Sequence, residues 1–224
     1  MRATSKLLAL ALTAALQPAI AGVVPVSFDD LSTANPLLGI QLGDRYATNG
    51  VQFTGDAWGV VSSRCNNDGW AFVTHGTGCG ALLLANDANG DVTSADQTFT
   101  LNFADGFIAG SSFFYSALSG SGISITLFDG LNGTGNSTVL SGFSTGTCGI
   151  SGATFCNWTQ FNITNLKGVA YSMVVTAKDQ TLMLDDLSLV QAASAPGTVP
   201  EPASIALALG ALGALGWSRK RAAR

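Results

Sequence analysis

Apolar and polar residues alternate with period two in short runs along the middle of the chain, and Gly, Asn and Asp separate the runs. That period puts every second side chain on one face of an extended strand, so the pattern predicts half-buried β-strands. The clearest runs are Val24-Val26-Phe28, residues 51–54, 98–103 and 108–115, Ile123-Ile125-Leu127, Val169-Tyr171-Met173-Val175, and residues 182–190. Asp105-Gly106, Asp129-Gly130 and Asn132-Gly133 supply turn signals between them. No helical period stands out between residues 22 and 194, and no Pro- or Ser-rich linker divides them. The expectation is one all-β domain, a single antiparallel β-sandwich, of a length that can enclose a proper core.

Both ends depart from this pattern. Arg2 and Lys6 precede an apolar run over residues 7–16 and the small-residue triplet Ala19-Ile20-Ala21, which is the layout of a secretory signal peptide over residues 1–21. The small residues 195–199 read as a linker. Residues 200–224 then combine Pro200-Glu201-Pro202, an apolar stretch over 203–217, and the basic cluster Arg219-Lys220-Arg221. Two prolines keep the backbone around Glu201 extended, open to a processing enzyme. The apolar stretch is shorter than the roughly 20 residues that span a bilayer comfortably, but Trp217 and the arginines can reach the interface. Positive charge after it holds the tail on the cytoplasmic side.

The order Val199-Pro200-Glu201-Pro202, apolar helix, Arg219-Lys220-Arg221 resembles the PEP-CTERM sorting signal of Gram-negative bacteria. The resemblance implies that Pro200, Glu201 and Pro202 are recognised by a membrane-embedded exosortase after delivery by the general secretion machinery. It further implies removal of the helix and transfer of the protein to the cell surface or exterior, in bacteria that make exopolysaccharide. The opening Phe28-Asp29-Asp30-Leu31, the central Leu127-Phe128-Asp129-Gly130 and the closing Leu184-Asp185-Asp186-Leu187 resemble, more loosely, the jelly-roll ectodomains such proteins carry. Fold resemblance of this kind suggests carbohydrate binding by analogy only.

Charge narrows the partners. Between residues 22 and 200 there are 13 aspartates, no glutamate and four basic residues, so nucleic acid, which needs a basic patch, is excluded as a partner. Cys65, Cys79, Cys148 and Cys156 all lie in the exported part, an even number in a disulfide-permissive compartment. Three pairings are open. Cys65 with Cys79 and Cys148 with Cys156 is favoured, since each closes a local loop. Four-thiolate zinc is disfavoured because the paired C-x2-C spacing is missing.

Candidate chemistry is sparse. Gly142-Phe143-Ser144-Thr145-Gly146 matches the nucleophile-elbow pattern, but no helix follows and the only histidine, His75, precedes the serine. Glycoside hydrolysis needs a defined pair of carboxylates, and none is singled out. Calcium fits the oxygen-rich composition better than zinc. The loop Asn86-Asp87-Ala88-Asn89-Gly90-Asp91 spaces oxygens at alternate positions but reads better as a solvated turn. Strand parity offers a second calcium site: Asp30 shares a face with Val24, Val26 and Phe28, and Asp185 with Met183, Leu187 and Leu189. If the first and last strands are neighbours, Asp30 and Asp185 approach and need a cation, a proton or a bulge. Trp58, Trp70 and Trp158 are the rings on which a sugar could stack, with core filling as the competing role.

The functional expectation is a non-enzymatic surface or extracellular matrix protein associated with exopolysaccharide and biofilm. A calcium-assisted carbohydrate-binding module is the alternative, and a secreted hydrolase is the third class.

Overall fold

A computed structural model describes residues 22–33, 39–65, 69–87 and 92–192. The expected signal peptide 1–21, linker 195–199 and sorting segment 200–224 lie outside the described residues. Among the described residues, no helix is long and apolar enough to cross a membrane.

Among the described residues, twelve strands carry the fold: β1 (Val23–Val26), β2 (Ile40–Gln41), β3 (Val51–Gly55), β4 (Ala57–Val61), β5 (Gly80–Leu84), β6 (Asp96–Phe107), β7 (Ser112–Ala117), β8 (Ser124–Phe128), β9 (Ser137–Leu140), β10 (Thr159–Asn162), β11 (Ala170–Lys178) and β12 (Leu182–Val190). They form two antiparallel sheets. The first runs β10-β7-β12-β5-β4-β2, with β1 also on β12, and the second runs β3-β6-β11-β8-β9. The all-β sandwich expected from the alternation is therefore the fold observed.

The main core lies between the sheets. Phe99, Leu101 and Phe103 of β6 and Met173 and Val175 of β11 meet Leu82, Leu84, Leu182, Leu184, Phe113 and Tyr115 from the first sheet. Gly59 on β4 belongs to this contact, because a side chain there would strike Leu31 and Leu42. The first sheet is also covered on its outer face, where Val60, Ala81, Leu83 and Met183 pack beneath Phe72 and Phe155. Double coverage explains why β5, Gly-Ala-Leu-Leu-Leu, is buried at every position and shows no alternation.

The overlooked strands are of two kinds. β4 and β5 are continuous apolar runs, and β2, β9 and β10 are two to four residues long. The strand expected over 108–115 begins only at Ser112, because Ser111 N–H donates to Ile108 O and closes a turn there. The first strand is shorter than its alternation suggests. It ends at Val26, Phe28 takes φ +59°, and Asp29–Thr33 winds into a 3-10 turn, with Leu31 N–H donating to Phe28 O at 3.1 Å. Gly80 receives this turn: a Cβ there would collide with the Phe28 carbonyl.

Disulfides join Cys65 to Cys79 and Cys148 to Cys156, the local pairing among the three possibilities. Each removes loop-closure freedom from the unfolded chain, which stabilises the fold by about 2–3 kcal/mol.

Two measurements check this architecture. Thiol titration of unreduced, denatured protein should find no reactive thiol, and a peptide linking Cys65 to Cys148 would contradict the pairing. Leu82→Ala, at a position with no solvent exposure, should lower unfolding free energy by about 2–5 kcal/mol in urea melts. Val139→Ala on the 66% exposed position of β9 should change it by less than about 0.5 kcal/mol.

Candidate functional site

Two disulfide-closed loops build a second layer over the outer face of the first sheet. Ser62 bridges to Trp70 and Phe72 to Phe155. Val73 N–H donates to Phe155 O at 2.8 Å, Thr154 N–H to Ala71 O at 2.6 Å, and Trp158 Nε1–H to Val73 O at 2.6 Å. The loop closed by Cys65 and Cys79 is thus clasped by the loop around Cys148 and Cys156. His75 is carried on that clasp.

Beneath it, β12 is interrupted. The ladder from β5 ends at Leu184 opposite Leu82, and the ladder from β1 begins at Leu187 opposite Val26. On the other edge, pairing with β7 shifts register between Asp185 and Ser188. Asp185 and Asp186 occupy this bulge, and Asp186 takes φ +45°. The bulge inverts parity: Leu182 and Leu184 before it and Leu187 and Leu189 after it all face the main core. Met183 faces the outer layer instead, and alternation places Asp185 on that side with it. The expected common face of Met183, Asp185, Leu187 and Leu189 is therefore split.

His75 Nδ1–H donates to Asp186 Oδ2 at 2.6 Å, and its ring stacks on Phe114 with centroids 3.7 Å apart. Phe114 stands opposite Asp185 in the β7–β12 register, so the ring and the carboxylate share a neighbourhood. Trp158 closes another side, its ring centroid 6.0 Å from that of His75. Asp185 is only 1% exposed, and its Oδ1 accepts the Asp186 N–H at 2.8 Å. Burial pushes its pKa up to about 8; the Asp186 N–H opposes the shift, and the charges of Asp186 and Asp29 reinforce it. His75, Asp185 and Asp186 each offer a ligand atom, all within 4.8 Å of one another, so the cluster could hold a metal ion.

The pairing expected between Asp30 and Asp185 is not made, although β1 and β12 are neighbours as expected. Asp30 is exposed and bound by Arg45, whose Nε–H donates to Oδ2 at 3.0 Å, and by Tyr46, whose OH donates to Oδ1 at 2.6 Å. Burial and then Asp30 push the Tyr46 phenol up. The left-handed Phe28 and the following 3-10 turn break the strand parity on which the expectation rested. It is Asp29 that turns toward the site, packing against Gly78, where any side chain would collide with it.

Trp58, Trp70 and Trp158 are all half-buried. Trp58 packs into the outer apolar cluster with its Nε1 buried and unpaired. Trp70 lines a cavity of about 300 Å³ with Phe72, Phe155 and Met183, and Asp179, Gln180 and Thr181 contribute polar groups. Ser144 of the Gly-x-Ser-x-Gly run is bonded to Tyr115, Oγ to phenol oxygen at 3.1 Å, while the only histidine is paired with Asp186. Asp179 is buried and ties down both sides of the loop that follows β5, accepting Asn86 N–H at 2.8 Å and Thr93 N–H at 2.7 Å. His75, Asp186, Asp29 and Phe114 were not among the residues expected from sequence. The available signals were a lone histidine inside a short cysteine-closed loop and the two Asp-Asp pairs.

Residues 198–222 match the PEP-CTERM protein-sorting motif. The chain carries that motif, which implies an exported protein handled by an exosortase. No curated protein matches the chain. Among solved structures, the K2 cleaved adhesin domain of Lys-gingipain is similar at 12% identity and TM-score 0.47, over 75% of this chain and 99% of that one. The CBM22-1 xylan-binding domain of Paenibacillus barcinonensis Xyn10C is similar at 15% identity and TM-score 0.41, over 78% and 98%. TmCBM61, solved with β-1,4-galactotriose, is similar at 16% identity and TM-score 0.36, over 72% and 98%. These are likenesses of β-sandwich fold alone.

The buried carboxyl gives a pH test with a definite sign. Its folded pKa of about 8 lies above the roughly 3.9 of an unfolded aspartate, so the folded state binds the extra proton between these values. Stability from this group is complete below about pH 4 and is lost as pH rises through about 8. Urea melts in the presence of chelator should show that fall, and Asp185→Asn should flatten it. A wild-type profile already flat between pH 4 and 8 would show that Asp185 is ionised in the fold.

Proposed function

We propose that the chain is a non-enzymatic, exported surface or matrix protein, processed by an exosortase and associated with exopolysaccharide. The sorting motif at residues 198–222 carries the reading. The geometry of the sandwich supports it. Gln191 N–H donates to Gly22 O at 2.8 Å, and Val23 stands opposite Val190, so both flanking segments join the sandwich at the same end. Its two disulfides suit an oxidising exterior.

In this proposal Pro200, Glu201 and Pro202 are the recognition element and Arg219, Lys220 and Arg221 hold the precursor in the inner membrane until processing. The secretion machinery removes residues 1–21. The outer layer of the first sheet is the contact surface. The Trp70-lined cavity favours a second reading, a carbohydrate-binding module, because a tryptophan on which a sugar could stack borders a concave site of about 300 Å³. Either role is served by a cation at His75, Asp185 and Asp186 that relieves the buried charge.

Intact-mass analysis of protein from the native host should find neither residues 1–21 nor the segment following Pro202, and full-length chain in mature surface material would overturn the sorting proposal. A glycan array probed with the mature protein, with and without calcium, separates the two roles. Binding that falls at least about tenfold in Trp70→Ala favours the module. Silence across the array favours the matrix role.

A further inference from the structure

The sandwich brings three metal-ligating side chains of two chemical kinds to one point: an imidazole from the cysteine-closed loop and two carboxylates from the bulge of β12. We infer that His75, Asp185 and Asp186 bind a divalent transition ion of the Zn²⁺ class, which cross-links that loop to β12. The inference rests on the reading that this cluster holds a cation, and it names the ion's chemistry.

The ligand set decides against calcium. Calcium takes six to eight oxygens, whereas this cluster offers two carboxylates and a nitrogen, with Asp29 as a nearby third negative charge. Asp30, which would have added a hard oxygen, is held by Arg45 and Tyr46. A nitrogen with two carboxylate oxygens suits a borderline ion, which completes four-coordination with one water. Metal–ligand bonds of about 2.0–2.2 Å set ligand atoms roughly 3.3 Å apart in a tetrahedron. The ligand atoms here lie within 4.8 Å, and the closest pair, His75 Nδ1 and Asp186 Oδ2, is at 2.6 Å, so sub-ångström to ångström-scale shifts suffice.

Two further features point the same way. Asp185 is 1% exposed and its Oδ1 accepts the adjacent backbone N–H, so a carboxylate is buried where a neutralising cation stabilises it. Phe114 holds the imidazole ring by stacking at 3.7 Å, which fixes the direction of its nitrogens before any ion arrives. Binding at Nδ1 leaves the single ring proton of the neutral imidazole on Nε2.

The test uses the full chain, stripped with chelator and dialysed, in equilibrium dialysis against zinc chloride and, separately, calcium chloride. The expected result is one Zn²⁺ per chain, bound at least about 100-fold more tightly than Ca²⁺. His75→Gln should weaken zinc by about tenfold or more and leave calcium affinity within about twofold. Visible absorption of the Co²⁺-loaded wild type gives a readout that needs no variant: intense d–d bands of a four-coordinate ion are expected, and they should be absent in Asp186→Asn. Calcium binding tighter than zinc, or unchanged zinc affinity in folded His75→Gln, overturns the inference while leaving a cation at the cluster. Binding of neither ion overturns the cation reading as well.

Discussion

The centre of the first sheet, β5 with the adjoining parts of β4 and β12, is buried on both faces, and most of the molecule's chemistry follows from that constraint. A sheet of a two-layer sandwich ordinarily shows one face to water, which enforces strict alternation along its strands. Here Phe72 and Phe155, bridged to each other and carried on loops closed by Cys65–Cys79 and Cys148–Cys156, roof over Val60, Leu83 and Met183. The roof lets β5 be apolar throughout, and it takes away the solvent that would otherwise receive the side chain of Asp185.

Asp185 is the group most affected. It stands on the outer side of β12, where alternation would normally expose it, and the roof buries it. An ionised carboxylate there would lose its hydration, so the fold meets it with the Asp186 N–H, a pKa pushed upward by burial, and the imidazole of His75 close by. The bulge serves this arrangement. Without the left-handed Asp186, continued alternation would have turned Leu187 and Leu189 away from the main core, which would lose two of its buried leucines. A single irregularity thus keeps the hydrophobic pattern consistent on both sides of two consecutive aspartates.

How much could be read in advance differs between fold and site. Long strands with one buried face, such as β6 and β11, announce themselves because period-two alternation is a local property of the chain. β4 and β5 do not, since double burial erases the alternation that identifies a strand. The disulfide pairing was accessible because short loops between neighbouring cysteines close locally. The placement of Asp30 was not, because the strand ends at Val26 and the left-handed Phe28 leads into a 3-10 turn that delivers Asp30 to Arg45 and Tyr46.

By itself the sequence determined an exported, all-β, disulfide-braced chain with a sorting motif near its C-terminus, since periodicity, cysteine number and the Pro-Glu-Pro tract are local signals carried in consecutive residues. Only the tertiary structure decided that His75 meets Asp186, 111 positions away. It also decided that Asp185 rather than Asp30 is buried, and that Phe114 and Trp158 frame the imidazole. The reason is physical. Those contacts depend on strand register, on a bulge and on two left-handed residues, and each of these is selected by packing between segments far apart in the chain rather than by the preferences of the residues that adopt it.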